Sequence, residues 1–139
     1  MYDNKNPKHV WFTEAAPDEI KNIMLNEVSN FFNLKILQSD VCHYTFVLKS
    51  QKIEVHNDKA ENTNFQTIFY IEGDENVHAG TGFYIKKDTD TYELNTHVGF
   101  KPNRIVSWDS NVYHAPLSFT EQFKPRISLI TQYKVEKKC

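Results

Sequence analysis

The sequence carries only 2 cysteines in 139 residues. Cys42 lies in an apolar stretch, Cys139 is the last residue, and no Cys-x-x-Cys pair exists. Neither a disulfide framework nor a cysteine zinc site is expected. Glycine is scarce too, with 4 in the chain, so turns must rely on Asn, Asp and the 5 prolines. An excess of one charge is also missing. The 16 Lys and Arg nearly balance the 18 Asp and Glu, for a net charge of −2. That argues against nucleic acid as the main partner. No apolar run approaches the length of a membrane helix. The stretch Met1-Tyr2-Asp3-Asn4-Lys5-Asn6-Pro7 lacks the apolar core of a signal peptide. The expectation is a cytoplasmic protein without a membrane anchor.

What is present is core-forming. Hydrophobic residues make up 40% of the chain, with 10 Phe and 7 Tyr. That composition suits one globular domain over residues 1–139. A helical segment is expected at about residues 14–35. Pro17 suits a first helical turn, and Asp18 and Glu19 complement the helix dipole. Ile20, Ile23, Met24, Val28, Phe31 and Phe32 then recur at helical spacing, and Asn33 ends the run. From about residue 39 to 135 the pattern becomes short β-branched and aromatic runs separated by polar turns. Strands are expected at Val41–Leu48, Lys52–His56, Phe65–Ile71, Gly82–Ile85, Tyr92–Val98, Ile105–Trp108 and Arg126–Val135. The expected class is mostly β with an N-terminal helix, as a sandwich or jelly roll.

Of the 6 histidines, His9, His43, His78 and His97 are expected to be structural or at the surface. His56 differs because Asp58 follows it by two residues. In a strand, residues i and i+2 project from one face, so an imidazole and a carboxylate aim at one point. His114, in Trp108-Asp109-Ser110-Asn111-Val112-Tyr113-His114-Ala115-Pro116, is placed after a strand and before a proline turn. It supplies a third donor. Two histidines and one carboxylate form a facial triad that leaves adjacent positions open, which suits non-haem Fe(II). Further on, Arg126 and Ser128 again share a strand face. An inward arginine is costly unless it meets an anion, and its planar fork fits a carboxylate.

The ordered set His56-x-Asp58, His114 and Arg126-x-Ser128 resembles the Fe(II)- and 2-oxoglutarate-dependent dioxygenases, in their prolyl-hydroxylase-like branch. Gln66-Thr67-Ile68-Phe69-Tyr70-Ile71, Gly80-Thr81-Gly82-Phe83-Tyr84 and Asn103-Arg104-Ile105-Val106-Ser107-Trp108 add to the likeness, which spans about residues 40–135. The resemblance implies a double-stranded β-helix, or jelly roll, with iron held by His56, Asp58 and His114. It implies that Arg126, Ser128 and Tyr70 bind the distal carboxylate of 2-oxoglutarate. Gln132, Trp108 and Phe46 become candidates for the substrate pocket, with Tyr44, Phe69, Tyr84 and Tyr113 as further aromatic candidates. The implied reaction uses O2 to hydroxylate an unactivated C–H bond and releases succinate and CO2. The substrate would be a small molecule or a peptide, a prolyl residue or free amino acid foremost.

Asp58 favours hydroxylation over halogenation, in which a small residue replaces the acid. Two departures stand out. The chain is short, and Gln132 stands where relatives often carry a bulky aromatic. A cupin-like jelly roll that binds metal without 2-oxoglutarate, and a carbohydrate- or protein-binding sandwich without metal, are the competing classes.

Overall fold

Arg126, Ser128, Ile130 and Gln132 alternate along the chain with Leu129, Thr131 and Tyr133. The pleat of a strand sends the two sets to opposite faces. In the computed structural model, which describes residues 11–47, 53–117 and 125–138, both faces of this strand are covered. The elements are β1 (Trp11–Ala15), α1 (Asp18–Phe32), β2 (Leu34–Val47), β3 (Phe65–Glu72), β4 (Asn76–Lys86), β5 (Tyr92–Phe100), β6 (Arg104–Asp109), β7 (Tyr113–Leu117) and β8 (Arg126–Lys137). They form two antiparallel sheets, of order β1-β2-β8-β3-β6 and β5-β4-β7. The first places β8 between β2 and β3. The second faces it as the other layer of a β-sandwich, linked by the Tyr70 to Thr81 hydroxyl contact of 2.6 Å and the Phe83–Trp108 ring pair.

The outer face of the larger sheet carries the helix. Met24 and Val28 of α1 pack on Cys42, Phe65, Leu129 and Tyr133. Burying a Met, Val or Leu side chain contributes roughly 1.5–3 kcal/mol each, so this cluster is the main stabilising core. Tyr133 is fully buried, and its hydroxyl meets Thr67 Oγ1 at 3.2 Å, satisfying the polar end of the ring. The inner face of the same sheet lines the space between the layers.

Several boundaries differ from expectation. The helix starts at Asp18, because Pro17 keeps an extended ψ of 150°, and residues 14 and 15 belong to β1. It ends at Phe32, with Asn33 in the left-handed region at φ 53°. Only part of the apolar stripe is buried: Ile23 is 50% and Phe31 83% exposed. β2 begins directly at Leu34, well before residue 39. Residues 53–56 are no strand: His56 makes one isolated bridge. His114 follows β6, as expected, but lies inside a further strand, β7, and Pro116 is part of that strand, not a turn. Such a proline is tolerated because β7 is the edge of its sheet. His9, Leu48, Lys52 and Cys139 lie outside the described residues. No helix among the described residues is long and apolar enough to cross a membrane.

The segment before β3 is tied down by Asn64. Its side chain copies a strand pairing: Nδ2 donates to Val135 O at 2.9 Å and Oδ1 accepts from Val135 N at 2.8 Å. Its backbone N–H donates to Tyr133 O at 2.9 Å and its carbonyl accepts from Ser110 N at 3.0 Å. Asn64→Ala removes the two side-chain bonds and leaves a half-buried backbone pair of β8 without them. The expected loss is about 1–3 kcal/mol of unfolding free energy, read from urea denaturation. A loss below about 0.5 kcal/mol, the lower bound for one such bond, would mean that water replaces the clip without cost.

Candidate metal centre

His56 and His114 meet through their backbones first. The N–H of His56 donates to the carbonyl of His114 at 3.1 Å, and the N–H of His114 donates back at 2.8 Å. This reciprocal pair is one rung of an antiparallel ladder, so both side chains leave on the same side. Their rings lie 4.6 Å apart. Asp58 follows on the irregular segment after His56, with its N–H held by Ser110 O at 2.9 Å. The convergence expected of a regular strand is thus produced by one bridge and one loop bond. One ligand atom from each of His56, Asp58 and His114 lies within 4.8 Å of the others.

The tautomers follow from the partners of the other ring nitrogens. His56 Nδ1 lies 2.8 Å from Glu54 O, and His114 Nδ1 lies 3.0 Å from Val112 O. A carbonyl only accepts, so each Nδ1 carries the proton. In the neutral ring, Nε2 then keeps a lone pair. Both Nε2 atoms face Asp58: His114 Nε2 is 3.0 Å from Oδ2 and His56 Nε2 is 3.6 Å from Oδ1. Lone pairs set against a carboxylate at that distance repel unless a cation is shared among them. The donor set therefore fits a divalent metal held by two imidazoles and one carboxylate. Where a proton on His114 Nε2 takes the place of that cation, the His114 hydrogen bond holds the Asp58 carboxyl below the usual carboxylate range; burial opposes it, and Gln66 lowers it further. Asp58 is ionised at neutral pH.

The triad opens into a cavity of about 430 Å³ between the sheets. Its wall is the inner face of the larger sheet, laid out in rows by strand register. Gln132, Gln66 and Trp108 form the row beside Asp58, and Ile130 with Ile68 forms the middle row. Thr45, Ser128 and Tyr70 form the far row, with Arg126 beyond it. From Gln66 to Tyr70 the rise along β3 is about 13 Å. Arg126 is 7% exposed, and its guanidinium stacks 4.0 Å above the Phe100 ring. Burial pushes it down to about 10, opposed by Tyr70 and Asp74. It still carries its charge at neutral pH.

Tyr70 lines the cavity, but its hydroxyl is engaged with Thr81, and burial raises its pKa, so it stays a phenol. Trp108 and Gln132 also line the cavity. Phe46 does not. It sits on β2 between the lining residues Thr45 and Val47, so alternation turns it away. Tyr44 and Phe69 pack on the helix side, and Tyr84 and Tyr113 fall outside the lining as well.

Among the cavity residues that the sequence reading misses are His43, Thr45 and Gln66. His43 was expected to be structural or at the surface. It lines the cavity, and burial lowers its pKa, so it is neutral at pH 7. Thr45 is 8% exposed, and its hydroxyl has no hydrogen-bond partner among the described residues. Gln66 is 2% exposed and donates through Nε2 to Asp58 Oδ2 at 2.9 Å. A buried amide inside Phe65-Gln66-Thr67-Ile68-Phe69 was the one signal available. His78 and His97 are exposed on β4 and β5, as expected.

No protein-family model matches the sequence, and no curated protein matches it. Solved structures do match. A crystal structure of an oxidoreductase of the 2OG-Fe(II) oxygenase family from Burkholderia pseudomallei aligns with TM-score 0.61 and 16% identity, over 93% of this chain and 70% of that one. A prolyl-4-hydroxylase from Pseudomonas putida aligns with TM-score 0.52 and 13% identity, over 98% of this chain and 77% of that one. At such identities the likeness establishes a shared fold.

Proposed function

We propose that the chain is an Fe(II)- and 2-oxoglutarate-dependent dioxygenase of the double-stranded β-helix, or jelly-roll, fold, formed as one domain over residues 1–139. One observation carries the proposal. His56, Asp58 and His114 converge at one end of a cavity whose other end holds the buried guanidinium of Arg126. A cupin-like metal site has no use for a buried arginine facing its cavity, so that alternative is disfavoured. The two oxygenase structures of the same fold point the same way.

The roles follow from the geometry. His56 and His114 would hold Fe(II) through Nε2, with the tautomer fixed by Glu54 O and Val112 O. Asp58 would offset part of the metal charge. Arg126 would grip the distal carboxylate of 2-oxoglutarate, and Ser128 and Thr45 would add hydroxyl bonds in the same row. Tyr70, tied to Thr81, would shape that end and exclude water. The apolar row of Ile68 and Ile130 suits the methylene part of the cosubstrate. Iron and 2-oxoglutarate, once bound, would supply the oxidising chemistry, with O2 as oxidant and succinate, CO2 and a hydroxylated C–H bond as products. Gln132 and Trp108 would face the substrate, a small molecule or peptide. A prolyl residue or free amino acid is the leading choice, and one neighbour of this fold is a prolyl-4-hydroxylase.

The metal role is tested with Mn(II) as an oxygen-stable probe. Asp58→Ala and His114→Ala should each weaken Mn(II) binding by about 100-fold or more in calorimetry, since each removes one of three protein ligands. Both should abolish succinate production while keeping the far-ultraviolet spectrum of the folded chain. Full succinate production by either variant would sink the triad.

The cosubstrate role separates from it. Arg126→Met should weaken 2-oxoglutarate binding to Mn(II)-loaded protein by roughly 100-fold, as expected for truncating one partner of a buried charge pair. Thr45→Val should weaken it by about tenfold through one lost bond to a charged group. Neither should alter Mn(II) affinity. For 2-oxopentanoate, which lacks the distal carboxylate, both variants should bind as the parent does. Equal losses for the two ligands would refute the clamp.

A further inference from the structure

Gln66 is polar where the alternation of β3 calls for a core residue. It is 2% exposed, and burying an amide without partners costs several kcal/mol by transfer scales. It has two partners, and both belong to the cavity wall. Nε2 donates to Asp58 Oδ2 at 2.9 Å, and Oε1 accepts from Gln132 Nε2 at 3.4 Å. Register sets Gln66 and Gln132 directly opposite one another on β3 and β8. The chemistry gives the chain of bonds one direction. An ionised Asp58 can only accept, so Gln66 must present its NH₂ to it. Its carbonyl is then turned to Gln132, which must present its own NH₂.

We propose that Gln132 and Gln66 form a relay whose task is to position Asp58 for the metal. The carboxylate of Asp58 lies on an irregular loop and would otherwise rotate freely about its last bond. The Gln66 amide holds its plane so that the two oxygens face the two imidazole Nε2 atoms, at 3.0 and 3.6 Å. A neutral amide does this without cancelling the carboxylate charge that the cation needs, as a lysine or arginine would. Gln132 acts through Gln66 by fixing which end of that amide faces Asp58. This assigns a positioning role to the polar residue found where relatives often carry a bulky aromatic. Released from the relay, the Asp58 carboxylate would be free to turn, and its two oxygens would no longer be held toward the two imidazoles.

The inference rests on the metal-site reading above, and the test keeps the two apart. Gln66→Met and Gln132→Met preserve side-chain length and remove the amides. Mn(II) affinity is measured by calorimetry, and the melting temperature is taken on metal-free protein. Gln66→Met should bind Mn(II) about 10–100-fold more weakly, the usual effect of removing a hydrogen-bond partner of a metal ligand. Gln132→Met should lose less, about threefold to tenfold, at the lower end of such effects. The double variant should be no worse than Gln66→Met, because the two act in series. The visible absorption of the Co(II)-loaded Gln66→Met protein, whose intensity reports coordination number, should differ from that of the parent.

Equal Mn(II) affinity of Gln66→Met and the parent overturns the relay. So does a loss of metal-free stability that accounts for the whole change in Mn(II) affinity, and so does an additive double variant. If Gln66→Met fails to fold, the half-buried Gln132→Met carries the test, and unchanged Mn(II) affinity there overturns the relay. Absence of Mn(II) binding by the parent overturns both the relay and the metal-site reading.

Discussion

A strand buried on both faces cannot choose its residues for one layer only. β8 lies between β2 and β3, covered on one side by the helix and on the other by the smaller sheet. Its outer set, Leu129, Thr131 and Tyr133, fills the core under α1. Its inner set could also have been apolar, and that would have been the more stable choice. Instead the chain places Arg126, Ser128 and Gln132 there, with only Ile130 apolar between them. The larger sheet thus divides its labour by parity. One face stabilises the fold, and the other gives up stability to hold polar groups in a cavity.

That division sets how the ligand groups are held. His56 and Asp58 lie on an irregular segment, yet neither position is left to the loop. The reciprocal backbone bonds between His56 and His114, the Asp58 to Ser110 bond and the Asn64 clip to β8 tie the segment to β7 and the larger sheet. The two backbone carbonyls on Nδ1 then fix ring rotation and tautomer. A site within about half an ångström of a working geometry needs such support from surrounding bonds. Here most of it comes from the main chain, which is insensitive to side-chain substitution, and the remaining part comes from Gln66.

The period of two made much of this legible in advance. Arg126 and Ser128 share a strand face, whereas His56 and Asp58 converge through one bridge and one loop bond, and both pairs line one cavity. The helix and the mostly β character were legible from spacing and from β-branched runs. The errors have physical causes. Phe46 is expected in the pocket because cavities are lined by aromatics, whereas for Tyr44 and Phe69 ordinary core is the expected role, and they lie in the core. In β2 the more apolar parity, Cys42 and Tyr44, belongs to the helix side, so the cavity received His43, Thr45 and Val47. Register shifts near Ile36, Gln38 and Val41 set that parity, and local sequence does not reveal them. Gln66 could be read as polar in an apolar run, but its partner lies eight residues back on a loop. Only the fold brings them together.

The cavity also carries an electrostatic statement about its occupant. At one end a carboxylate and two imidazole lone pairs converge, an arrangement that repels itself until a cation enters. At the other end the Arg126 guanidinium is buried, which pushes it down to about 10, while Tyr70 and Asp74 oppose the shift. The two ends have opposite sign and are separated by the apolar row of Ile68 and Ile130. A cation alone complements only the first end, and a simple anion only the second. A dicarboxylate that chelates the cation with one end and reaches the guanidinium with the other answers both, and its methylenes match the row between. Under the proposed function, that is the outline that 2-oxoglutarate on iron would fill.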